Sequence, residues 1–151
     1  MGNLKIPPDR KNCVERVTHK KILLSGKKTS RLYLLNPYER SVEKVQVDGC
    51  AITDGTCCDW AVELDARVSR EEIFIELKGS HITVAVKQIE ATITRLSSSP
   101  AQTKKRCLVV SKRYTVTESW FQRQQRRFQR DFKADLNRAR NGESLSLEPA
   151  M

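Results

Sequence analysis

Long apolar runs are missing from this chain. Its uninterrupted apolar stretches extend over only a few residues, far short of the ~20 that a membrane-crossing helix requires. The opening MGNLKIPPDRKNC also lacks the apolar h-region of a secretion signal. These two absences predict a cytoplasmic protein with no membrane partner. C-x-x-C pairs are absent as well, and the five cysteines, Cys13, Cys50, Cys57, Cys58 and Cys107, are odd in number and irregularly spaced. That pattern argues against a complete disulfide framework and predicts free thiols in a reducing compartment. A zinc site built from Cys50, Cys57, Cys58 and His81 is the competing reading, weakened because adjacent cysteines on a strand point to opposite faces. No internal repeat marks the chain.

What is present fits one globular unit. The 151 residues are 38% hydrophobic and 30% charged, a length and composition suited to a single domain with its own core, predicted over 1–151. The net charge of +10 is concentrated late. Between Gln102 and Arg140, twelve Lys or Arg face only Glu118, Asp131 and Asp135, a local net of +9. A polyanion such as nucleic acid would be drawn to that end, although exposed basic helices also occur in proteins that bind none.

Periodicity supplies the elements. The first thirty residues admit a short helix. RLYLL and VEKVQV are strand-like around the turn NPYER and predict a β-hairpin, whose second strand has Val45 and Val47 on its apolar side and one wet face. The Asp-Gly of TDGT marks a turn. CCDWAVELD then alternates Trp60, Val62 and Leu64 against Asp59, Ala61 and Glu63, and EEIFIELKG alternates Phe74, Glu76 and Lys78 against Ile73, Ile75 and Leu77. Together these segments predict an antiparallel meander. Ile82, Val86, Ile89, Ile93 and Leu96 recur at helical spacing behind Ser80 as N-cap. Arg106–Ser111 reads as a buried strand reached by that helix crossover, completing a core over 31–111. A basic amphipathic helix follows over 117–140, capped by Thr117, with Phe121, Phe128, Phe132 and Leu136 on one face, and the tail 141–151 is expected to fray. The fold class is therefore α+β with a mixed sheet.

Folding the second and third meander strands together brings Asp59, Glu76 and Lys78 to one face. Two carboxylates on adjacent strands suit a hard divalent cation such as Mg²⁺ or Mn²⁺, and a nearby ammonium suits charge developing on a phosphate. A lone Asp, an E-x-K strand and a following helix carrying Gln88 resemble the PD-(D/E)XK nuclease superfamily. The match runs over roughly Val45 to Ser111. CCDWAVEL…EEIFIELKGSHITVAVKQIEAT is similar to small prokaryotic and phage proteins of that superfamily. The resemblance implies a restriction-endonuclease-like core. It also implies Asp59 and Glu76 as metal ligands with the carbonyl of Leu77, Lys78 assisting the attacking water, and Gln88 supporting the site. Cys58 stands where the literal motif has Pro, and Thr92 stands where some branches carry Tyr.

On this reading the protein is a Mg²⁺-dependent endonuclease acting on nucleic acid, DNA ahead of RNA, and a two-fold substrate would call for a homodimer. Glu15 is a candidate further acid at the metal. Asp48, in VQVDGC, reads as a turn or bulge residue before a metal ligand, and His81 as part of the helix start. Trp120 and the Phe stripe read as core before base-stacking platform. The alternative readings are a non-catalytic nucleic-acid-binding protein and a protein-interaction module on the same fold. A Glu and a Lys two apart on a strand are also a common solvated pair worth less than about 1 kcal/mol.

Overall fold

The computed structural model describes residues 4–26, 30–64, 70–77, 81–111, 113 and 115–148. After a 3-10 turn at Pro8–Cys13 come β1 (Val14–Val17), β2 (Lys21–Ser25), β3 (Arg31–Leu35), β4 (Val42–Gln46), β5 (Trp60–Leu64) and β6 (Glu72–Glu76). Helix α1 (Ile82–Leu96), β7 (Lys105–Val110), α2 (Glu118–Phe132), β8 (Ala134–Ala139) and β9 (Ser144–Ser146) complete the chain. The fold is mixed α+β. A six-stranded sheet runs β1-β4-β5-β6-β7-β8, and a three-stranded sheet runs β2-β3-β9. Pairing is antiparallel from β1 through β6 and parallel across β6, β7 and β8, the two parallel steps being spanned by α1 and α2.

The large sheet is covered on both faces. Both helices pack on one side, where Ile82, Val86, Ile89, Ile93, Phe121 and Phe128 meet Val45, Ala61, Phe74 and Val109. On the other side the small sheet contributes Ile22, Leu24, Leu32 and Leu34 against Val62, Ile73, Ile75 and Val110. Strand β6 lies between the two layers, which is why all five of its residues are buried. Its alternation follows the sequence: Phe74 joins the helix side, Ile73 and Ile75 the small-sheet side.

The expected β3–β4 hairpin does not form. NPYER is a turn, but it carries the chain from one sheet into the other, so β3 pairs with β2 while β4 pairs with β1 and β5. Buried Asn36 makes this exit. Its amide donates to the carbonyls of His19 (3.1 Å) and Arg40 (2.9 Å) and accepts from Arg40 N–H, tying the turn to the start of β2 rather than to β4. The face of β4 expected to be wet is consequently covered at Val42, which is 0% exposed. The start of the chain forms the 3-10 turn and two strands in place of a helix.

At the other end the predicted helix stops early. Lys133 adopts a left-handed backbone, with φ 53°, and ends α2 at Phe132. Beyond it Ala134 and Leu136 point inward while Asp135 and Asn137 point out, an alternation of two that makes β8 a strand parallel to β7. Leu136 satisfied a helical and a strand period equally, which hid the boundary. Nor is the start of the tail frayed. β9 pairs with β3, Leu147 is fully buried, and the Arg106 guanidinium donates to the carbonyls of Ser146 (2.7 Å) and Leu147 (3.1 Å). His81 occupies the N-cap position of α1 without a side-chain cap bond; the expected cap, Ser80, lies outside the described residues.

The thiols also depart from expectation. Cys13 and Cys50 form a disulfide with a Cα–Cα distance of 5.7 Å, while Cys57, Cys58 and Cys107 are free and buried. The register Val14↔Val45 brings the end of the 3-10 turn beside the end of β4, and the turn after β4 returns Cys50 to meet it. Spacing of 37 residues in sequence gave no hint of this contact.

A buried polar network holds the crossover from α1 to β7. Glu72, 0% exposed, accepts from Ser97 Oγ (2.6 Å), Ser98 N–H (2.9 Å) and Ser98 Oγ (2.8 Å). Its register neighbour Lys105, equally buried, donates to the carbonyls of Ser99 (3.0 Å), Thr103 and Phe132 (2.9 Å). Burial pulls the Lys105 amine below its ordinary range, and the Glu72 charge opposes that fall. Removing the ammonium strands three carbonyls in the interior and leaves the buried Glu72 charge without its counter-charge. Lys105→Met is therefore expected to lower unfolding stability by about 3–5 kcal/mol, measured by urea denaturation, with Lys105→Arg retaining part of the loss.

Candidate active site at the start of β5 and the end of β6

The site is built by the pairing of β5 with β6. Trp60 faces Ile75 and Ala61 faces Phe74, and this register leads Asp59, just before β5, onto the end of β6. Its N–H donates to the Ile75 carbonyl at 3.2 Å, and its carboxylate Oδ2 accepts the Leu77 N–H at 2.8 Å. Asp59 thus brackets Glu76 from both sides. On its other flank the Asp59 carbonyl accepts from Val47 N–H at 2.9 Å, anchoring the residue to β4 as well. Asp59 is half-buried, and Glu76 is 1% exposed.

Both carboxylates act on the thiols packed under α1. Cys57 is pushed up to about 11, by burial first and then by the charges of Asp48, Asp59 and Glu76. Cys58 is raised further, again by burial foremost, with Glu76 and Asp59 adding to it. Both cysteines belong to the helix-side core, so the two acids share that side of the sheet. The thiols stay protonated at neutral pH and serve as packing rather than as ligands or nucleophiles.

Helix α1 is fastened to this corner by Thr92. Its hydroxyl accepts from the Cys58 N–H at 2.8 Å and donates to the Gln88 carbonyl at 2.8 Å, and the side chain is fully buried. Gln88 lies one turn before Thr92 on the same flank of the helix and is half-buried. The fastening role of Thr92 went unread in the sequence. Its signal was a threonine bordering the apolar stripe, where a hydroxyl must find partners once buried.

Asp48 sits in the turn after β4, where Gly49 takes φ +77°, and its Oδ1 accepts from the Cys57 thiol at 3.7 Å. The turn role holds, and the carboxylate is also close enough to act on the thiol that feels Asp59 and Glu76. Glu15 is placed elsewhere. The registers Glu15↔Lys44, Lys44↔Val62 and Val62↔Ile73 put it on the small-sheet face, where it pairs with the Lys44 ammonium at 3.5 Å. It cannot assist a metal on the helix side. Lys78 lies outside the described residues.

The zinc reading does not survive, because Cys50 is consumed in the disulfide and Cys58 is buried against Thr92. Among the described residues no group of three or more His, Cys, Asp and Glu side chains could hold a metal ion. What remains is the smaller set of Asp59, Glu76 and the Leu77 main chain. Its donors are hard oxygens, two of them anionic, which fit Mg²⁺ or Mn²⁺ and not a soft metal. No helix among the described residues is long and apolar enough to cross a membrane.

Thr92→Val keeps the volume of the side chain but leaves the buried Cys58 N–H without its acceptor. The expected cost is about 1–3 kcal/mol of stability, read from the urea midpoint. Thr92→Ser, which preserves the hydroxyl, should recover most of it.

No protein-family model, curated protein or solved structure matches the chain.

Proposed function

We propose that the protein is a divalent-metal-dependent nuclease that hydrolyses nucleic-acid phosphodiester bonds on a restriction-endonuclease-like core. The observation that carries the reading is the bracketing of Glu76 by Asp59 through the Leu77 N–H and the Ile75 carbonyl. The strand order supports it too: antiparallel β4, β5 and β6, a helix crossover, then parallel β7. Asp59 and Glu76 would hold Mg²⁺ or Mn²⁺, with the Leu77 carbonyl as a further oxygen donor. When bound, the ion supplies Lewis-acid stabilisation of charge developing on the phosphate.

The chain's own groups do the rest. Leu77 N–H fixes one oxygen of Asp59 and leaves the other as a ligand. The alternation expected from the sequence assigns Lys78 to the face of Glu76, where its ammonium would orient the attacking water and offset negative charge. Gln88 would hold the site from the helix. Water adds to phosphorus, one backbone P–O bond breaks, and the water's proton ends on the departing oxygen or on solvent.

The test is cleavage of labelled single-stranded, double-stranded and branched DNA, and of RNA, with Mg²⁺, Mn²⁺ or EDTA. The wild type should cut only with metal, and Asp59→Asn, Glu76→Gln and Lys78→Ala should each reduce the rate by about 100-fold or more. Undiminished cutting by Asp59→Asn or Lys78→Ala in a clean preparation would overturn these roles. Binding without cutting, in every metal and on every substrate, would instead make the protein a non-catalytic nucleic-acid-binding module.

A further inference from the structure

The basic residues of the C-terminal half divide into two kinds. Some are spent inside the fold: Lys105 on three carbonyls, Arg106 on Glu71 and the tail, and Arg127 on Glu90 of α1 through paired bonds of 3.0 and 2.9 Å. Of the rest, three stand on the outer face of α2. Arg123, Arg126 and Arg130 are all exposed, at a spacing of three and then four residues, so they form one row directly opposite the Phe121 and Phe128 core face. Arg123 and Arg126 make no ion pair among the described residues. Among the described residues Arg130 pairs only with its chain neighbour Asp131, an exposed pair of little energetic weight.

The row has a built flank. Gln122, Gln125 and Gln129 run beside it and, with Arg126 and Arg130, line an open groove. Gln125 donates to the Leu136 carbonyl at 2.9 Å and Gln129 bonds Asp135, so this flank of α2 is tied to the edge strand β8. Arg130 lies seven helical steps beyond Arg123, about 10 Å at ~1.5 Å per residue. That is the axial rise of about three phosphates of one strand of a duplex. The row also has a direction. β7 runs parallel to β6 with Val109 beside Glu76, and α2 carries the chain from β7 back to the start of the parallel strand β8, so Arg123 is the end of the row nearer the Asp59–Glu76 corner.

We infer that the Arg123–Arg126–Arg130 row is the surface on which the nucleic-acid backbone lies, gripping about three consecutive phosphates of a strand that continues toward Asp59 and Glu76. The partner follows from charge complementarity: spaced guanidiniums with uncharged amides beside them suit phosphate and sugar contacts, which position a strand without reading its bases. This rests on the nuclease reading for the identity of the polyanion.

The experiment measures binding of 20-nucleotide single-stranded and duplex DNA in EDTA as a function of salt. It compares wild type with the triple variant Arg123→Gln/Arg126→Gln/Arg130→Gln, and with Lys5→Gln/Lys11→Gln/Lys20→Gln, which removes equal charge from other surfaces. Hydrolysis of bis(4-nitrophenyl) phosphate, whose single phosphate cannot occupy row and site together, is followed in parallel. The α2 variant should lose at least about tenfold in affinity at 0.1 M salt and reduce the slope of log K against log salt by about 2–3. Its hydrolysis of the small diester should be unchanged, and the lysine variant should bind like wild type. An α2 variant that binds like wild type or like the lysine variant would overturn the inference, as would a wild type that binds no DNA at low salt. If the slope falls as expected but the wild type hydrolyses neither DNA nor the small diester, the row stands and the nuclease reading fails.

Discussion

The register of β5 against β6 is the constraint on which the candidate site depends. Because side chains alternate with a period of two, a slip of one residue would turn either Ala61 or Phe74 away from the helices and move the Asp59 bracket off Glu76. Several contacts hold the register. β6 is buried by helices on one side and by the small sheet on the other, so Phe74 has one acceptable face and Ile73 and Ile75 have the other. Asp59 is tied through its N–H to β6 and through its carbonyl to β4. The Trp60 indole donates to the Ser25 carbonyl at 2.9 Å, locking the next residue to the end of β2. At this corner the packing that stabilises the fold also positions two acids side by side.

Both ends of β6 carry buried charge. At its start Glu72 and Lys105 are saturated by hydroxyls, an N–H and carbonyls, and the result is structural: the crossover loop and the end of α2 are held together. At its end Glu76 is as deeply buried, and its charge and that of Asp59 add to the rise that burial gives the Cys57 and Cys58 thiols. Carboxylates gathered at one corner repel each other and favour a cation between them. The close approach of Gly26 to Leu77 brings the residue after β2 to the same corner, since a Cβ on Gly26 would meet the Leu77 Cβ at 3.1 Å.

The parts of the fold set by local pattern were legible in the sequence. Strands β5, β6 and β7, helix α1 and the core stripe Ile82, Val86, Ile89, Ile93 and Leu96 follow from periodicity, and so does the convergence of Asp59 and Glu76. What escaped depends on contacts between distant segments. The separation of β3 from β4 turns on Asn36, whose partners include His19, and the disulfide joins residues that only the β1–β4 pairing brings together. Strand β8 was masked because Leu136 suits two periods at once, and the face of Glu15 could be assigned only once its strand had a neighbour. Lys105 read as one more basic residue of a charged segment; its burial is a property of the parallel sheet.

The most direct measurement is Mn²⁺ binding to the protein without nucleic acid, followed by electron paramagnetic resonance for wild type, Asp59→Asn and Glu76→Gln. If the bracketed carboxylates form the metal centre, the wild type takes up a single Mn²⁺ and either substitution weakens binding by about tenfold or more. A wild type that binds no Mn²⁺, or variants that bind it as well as wild type, would contradict the account.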